Sequence, residues 1–147
     1  MSYHYQQKIT SLWNVFLLGT LFHTQLGLMP LFHGLSIANP NLHANEFKDV
    51  SSILWLMLLF FVIPILAIIG TNFTNSQAYK TAHFYLTILY SILNSLHLIL
   101  DLGVKPIIWS QITLMLILLL VGLLLNFVSY QWMGEGTHKK QFHVQRD

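Results

Sequence analysis

The sequence predicts an all-α membrane protein: four transmembrane helices in an antiparallel, up-down-up-down bundle. Three observations predict it. Of the 147 residues, 54% are hydrophobic and 8% are charged, whereas a soluble domain carries about 25% charged residues. The apolar residues gather in four runs, each near the ~20 residues that cross ~30 Å of hydrocarbon at 1.5 Å per residue. Short polar connections separate the runs, and short connections make neighbouring helices antiparallel. With a mean hydropathy of +0.59, the chain is far from the composition of a disordered segment. It also excludes a free soluble enzyme, because too little polar surface is available to cover an exterior in water.

The first run covers residues 12–37 and is closed by Asn39-Pro40-Asn41. Ser36-Ile37-Ala38 resembles a signal-peptidase site. However, the run is longer than the 7–15 apolar residues of a signal core and contains His23 and Gln25, so it reads as a retained span. The second run, residues 53–70, is the shortest and carries Pro64, which favours a kink or tilt. A polar stretch from Thr71 to Ser76 precedes the third run, residues 84–102. Asp101 to Pro106 reads as a tight reversal before the fourth run, residues 107–130. Barrel strands are excluded by the absence of short alternating segments. The expected organisation is one transmembrane domain over residues 1–133, followed by a basic cytoplasmic tail, 134–147, whose Gly-Glu-Gly opening favours flexibility.

Lys and Arg set the expected orientation. With both termini cytoplasmic, Lys8, Lys80, Lys139, Lys140 and Arg146 lie inside, and Lys48 and Lys105 lie outside. Trp13 and Trp132 then fall at the inner ends and Trp55 and Trp109 at the outer ends, as in interfacial belts. Asn72-Phe73-Thr74 matches a glycosylation acceptor, but on the cytoplasmic side it is a chance match. The expected location is a bacterial plasma membrane or a thylakoid-type membrane.

Polar residues inside the runs are few and ordered. On a helical wheel of about 100° per residue, His83, Thr87, Tyr90, Ser91, Asn94, His97 and Asp101 share one face of the third run. Ile88, Ile92, Leu96 and Ile99 make the opposite face. An unpaired polar group in hydrocarbon is costly, so the polar face is expected to look into the bundle. In the first run Gly19, His23, Gly27, Pro30 and Gly34 align, and small residues at that spacing admit a close neighbour. The fourth run offers Gln111, Met115, Gly122, Asn126 and Ser129, while the second is nearly featureless and expected to be the most lipid-exposed. Counting from the inner ends places His23 level with Tyr90 and Asn94, His33 level with His97 and Asp101, and His83 near Asn126 and Ser129.

The eight histidines support several chemistries. Imidazole is an axial ligand of haem and needs no cysteine. His83 and His97 lie fourteen residues apart on one face, about 21 Å along the axis. In that one helix the spacing resembles the haem-bearing helices of respiratory and photosynthetic cytochrome b proteins. The resemblance implies haem b with His23, His33, His83 and His97 as candidate axial ligands. In that family a second helix carries a matching pair, whereas here the first run has His23 and His33 ten apart on different faces. A single haem between His33 and His97 is the simplest version, and His23 among its glycines is a further tetrapyrrole position. Alternatively the histidines, with Thr87, Tyr90, Asn94, Asp101, Gln111 and Asn126, form a hydrogen-bonded interior that packs the helices. The same seam can also mark a proton or small-solute path, which four helices would complete only as an oligomer. His43, Glu46 and Asp49, spaced by three in the outer connection, are candidate metal ligands, with His33, His97 and Asp101 expected near the same face.

Other chemistries lack their residues. Cysteine is absent, which removes disulfides, iron–sulfur clusters and thiolate zinc sites. No phosphate loop, HExxH or GxSxG occurs. A net charge of +2 without a basic, aromatic-interleaved stripe is too weak to suggest a nucleic-acid partner, and none is expected. His138 and His143 are five apart and poorly placed to meet on a helix. The expected role is a non-enzymatic accessory, assembly or interaction component in the lipid bilayer, associating with other membrane subunits or with itself. The alternatives are a haem-bearing electron-transfer protein, which would make it a membrane oxidoreductase component, and a proton or solute path.

Overall fold

The computed structural model describes residues 2–36, 47–104 and 107–144, with backbone only for Ser2, residues 47–49 and residues 136–144. Among the described residues every element is helical: α1 (Ser2–Phe32), α2 (Phe47–Phe73), α3 (Gln77–Gly103) and α4 (Trp109–Val144). Each contains a stretch long and apolar enough to cross a membrane. The helices exceed the apolar runs because a nucleated helix extends cheaply through polar residues that make good backbone hydrogen bonds. Thus α1 begins ten residues before the expected start, and Thr71 to Phe73 and Asp101 to Gly103 are helical rather than turn. Gly134-Glu135-Gly136 likewise lies within α4.

The first helix ends early, at Phe32 instead of residue 37. Gly34 adopts φ +76°, the left-handed conformation that a side chain disfavours. Its N–H donates to the Leu31 carbonyl at 3.1 Å, and the Leu35 N–H donates to the Pro30 carbonyl at 3.0 Å. This pair of bonds is the Schellman termination. Gly34 therefore caps the helix and does not extend its small-residue face. Ser76 caps α3, its hydroxyl accepting from the Tyr79 N–H at 3.3 Å.

Helix α4 packs against both α1 and α3, and α2 packs against α1. Gly19 permits the α1–α4 approach, because a Cβ there would overlap the Leu118 side chain. Gln6 donates to the Thr71 carbonyl at 2.8 Å, joining the start of α1 to the end of α2. Gln77 donates to the Met133 carbonyl at 2.8 Å, joining the start of α3 to the later part of α4. The core contains Ile9, Trp13, Phe16, Tyr90, Met115, Leu118, Leu125 and Trp132. Trp13 and Trp132 have no exposed surface, so they fill the bundle instead of facing a lipid interface, whereas Trp55 and Trp109 are exposed. On α2 the buried side chains among those described are Pro64, Ala67 and Thr71, a narrow stripe.

Candidate functional site

The polar face of α3 points inward from His83 to Asn94, but His97, expected inward with them, is exposed, because the face turns out of the bundle toward the end of the helix. His83, Thr87, Tyr90, Ser91 and Asn94 are buried, while Tyr85, Leu89, Ile92, Leu96 and Ile99 are exposed. This inversion of a soluble helix follows if the surroundings are apolar and the polar groups find partners within. Many do. Tyr90 donates its hydroxyl to the Phe60 carbonyl of α2 at 2.8 Å. That carbonyl lies four residues before Pro64, whose missing N–H leaves it without its helical donor. The sequence marks Pro64 as a kink and Tyr90 as a polar seam residue; the fold makes each the answer to the other. Asn126 donates to the Ser91 hydroxyl at 2.9 Å, joining α4 to α3. Thr87 donates to the Phe84 carbonyl at 2.7 Å within its own helix.

His83 sits among Trp13, Tyr79 and Trp132. The Trp13 indole N–H donates to His83 Nε2 at 3.0 Å. An indole can only donate, so a neutral His83 carries its proton on Nδ1. That Nδ1 is buried without a hydrogen-bond partner, as are Asn94 Nδ2, Asn126 Oδ1 and Ser129 Oγ. His83 also borders a cleft of about 360 Å³ between α2 and α3, lined otherwise by Ile63, Leu66, Ala67, Tyr79, Ala82 and Leu86. Lys80, counted above among the cytoplasmic charges, is buried with its ammonium 5.2 Å from the centre of the Trp132 ring. Hydropathy alone gives no signal for that contact.

The second polar centre joins α1 to α3 near the end of α3. His23 Nε2 lies 3.1 Å from Asp101 Oδ2, and His97 Nε2 lies 3.6 Å from the same oxygen. The two imidazoles meet edge-on, with ring centroids 5.3 Å apart and planes at 75°. One ligand atom from each of the three residues lies within 4.8 Å of the others. His23 is buried, the His97 side chain is 54% exposed and that of Asp101 is 23% exposed. Gln111 at the start of α4 donates to the His23 carbonyl at 3.4 Å, so three helices converge here.

This grouping corrects the expected depths. His23 meets His97 and Asp101 rather than Tyr90 and Asn94. The contacts Trp13–His83 and His23–Asp101 are ten residues apart on α1 but eighteen apart on α3, or ~15 Å against ~27 Å along the axes. Helices rising in step would not give such pairs, so counting from the ends fails. His33 lies exposed in the turn beyond α1 and is not part of the cluster. His43, Glu46 and the Asp49 side chain lie outside the described residues, as do the side chains of His138 and His143.

The arrangement bears on the cofactors that the histidines suggest. Two imidazoles that ligate one haem iron stand on opposite faces of the macrocycle. Here Asp101 contacts both rings, and a haem between them would require α1 and α3 to separate. His83 has its Nε2 engaged by Trp13. Comparisons with protein families, curated proteins and solved structures find no match, so a functional reading rests on the chain's own residues.

Proposed function

We propose that the protein is a small multi-pass integral membrane component with an accessory or assembly role. Its helices take up-down-up-down order with both termini cytoplasmic. The observation that carries this reading is the inside-out α3, with polar groups bonded inward and isoleucine and leucine outward. The contacts that tie the start of α1 to the end of α2, and the start of α3 to the later part of α4, support the antiparallel order. The Lys and Arg distribution supports the orientation.

An accessory role is favoured over a relay because two seam hydroxyls, those of Tyr90 and Thr87, donate to backbone carbonyls, at Phe60 and Phe84. The Tyr90 bond fastens α3 to α2, the Thr87 bond closes within α3, and neither passes a proton along a chain. The outward surface of α2, from Ile53 to Leu59, offers apolar contact to helices of another membrane subunit or of a second copy. Crosslinking in native membranes from Leu58→Cys tests the role, since the chain has no other cysteine. A discrete adduct larger than the monomer is expected, and a protein that remains monomeric at every crosslinker length contradicts an interaction role.

A further inference from the structure

We propose that His23, His97 and Asp101 form a binding site for one divalent transition-metal ion of the zinc or iron(II) class. The site goes beyond the accessory role and stands without it. Zinc bonds to imidazole nitrogen and carboxylate oxygen are about 2.0–2.2 Å long, so neighbouring ligand atoms in a tetrahedral shell lie about 3.3 Å apart. The two nitrogen-to-oxygen separations, 3.1 Å and 3.6 Å, bracket that value. The mutual limit of 4.8 Å leaves only a small side-chain adjustment to bring the third edge into range.

The donor chemistry agrees with the geometry. Two neutral imidazoles and one carboxylate suit zinc or iron(II) and are a poor set for calcium or magnesium, which take oxygen ligands. Among the described residues, and apart from Glu135 at the last position of the fourth candidate span, Asp101 is the one carboxylate within the four spans. Its partners in the cluster are imidazoles rather than an ammonium or guanidinium, and both converge on the same oxygen. A bound cation would neutralise that carboxylate at the edge of the hydrocarbon. Binding requires each imidazole to present an unprotonated Nε2, with its ring proton on Nδ1.

Access and rigidity are built in. The exposed His97 provides an approach, while the buried His23 fixes the ion to α1. His97 and Asp101 stand one turn apart on α3, so the ion would staple two helices and keep a fourth position open for water or a small ligand.

The full chain, purified in detergent and stripped with a chelator, is titrated with Zn²⁺ by calorimetry and with Co²⁺ by visible absorption. One ion per chain is expected, with the d–d bands of tetrahedral Co²⁺ and a higher Tm in Zn²⁺. His97→Ala and Asp101→Asn should each weaken binding at least tenfold, whereas His33→Ala, His138→Ala and His143→Ala should leave it unchanged. Circular dichroism checks that the variants keep their helices. His97→Cys should restore binding and add a thiolate-to-cobalt charge-transfer band, which places that residue on the ion even if the alanine variant misfolds. Failure to bind one equivalent, or equal binding by folded His97→Ala and Asp101→Asn variants, overturns the proposal. The crosslinking result on α2 is independent of either outcome.

Discussion

The Tyr90 hydroxyl and the Phe60 carbonyl show how a local defect becomes a tertiary bond. Pro64 removes the helical donor, and Tyr90 supplies one from α3. Tyr90→Phe should therefore destabilise the bundle by about 1 kcal/mol, combining a lost interhelical bond with an unsatisfied carbonyl. In a Pro64→Ala background the backbone N–H returns, and the same substitution should cost close to nothing. A double-mutant cycle read by denaturing-detergent unfolding measures the difference, and equal costs in both backgrounds contradict the pairing. The sequence makes the inward face of Tyr90 legible through periodicity. It does not reveal the partner, because the choice of carbonyl depends on where α2 docks. The same limit applies to His23. Its polar, inward character can be read from its neighbours, but its contact with Asp101 depends on how α1 and α3 incline.

At the scale of elements, hydropathy locates all four helices, because apolar runs of span length have few alternatives in lipid. The ends are less legible, since the mostly polar segment from Ser2 to Ser11 is helical yet turns only Tyr5 and Ile9 toward the core, too few to stand out in hydropathy. The stop of α1 does have a local cause in Gly34. Nothing lies within 4 Å of a Cβ placed there, so Gly34→Ala tests conformation alone. It should destabilise by about 1 kcal/mol through the left-handed φ. Gly103 is equally open but is not held at positive φ, so Gly103→Ala should be neutral or slightly stabilising. Gly19→Leu forces α1 away from Leu118 and should cost more than either, by the overpacking typical of ~1–3 kcal/mol. Unfolding midpoints of the three variants check the order, and a neutral Gly19→Leu contradicts the close α1–α4 packing.

For the molecule as a whole, composition says membrane, and the placement of polar side chains says how the bundle is turned. Trp13 and Trp132 illustrate what composition misses. Tryptophan near a helix end suggests an interfacial belt, yet these two are core residues around His83 because three helices converge on them. The exposed exterior includes Leu18, Leu56, Ile92, Leu96, Ile99, Leu120 and Phe127, a surface suited to acyl chains or partner helices. If the orientation is as proposed, reporters fused before Met1 and after Asp147 both report the cytoplasm, and a C-terminal reporter active on the far side contradicts it.

As proposed, α3 stands in a bilayer with its polar face, from His83 to Asn94, turned into the bundle. Single-cysteine variants at Thr87, Ser91, Asn94, Ile92, Leu96 and Ile99, spin-labelled in liposomes, test it directly, because the chain has no cysteine of its own. Collision with oxygen, which concentrates in lipid, should be high at Ile92, Leu96 and Ile99 and low at Thr87, Ser91 and Asn94, with a polar nickel chelate excluded from the first group. Strong nickel collision at Ile92 and Leu96, or no difference between the two faces, would contradict the account.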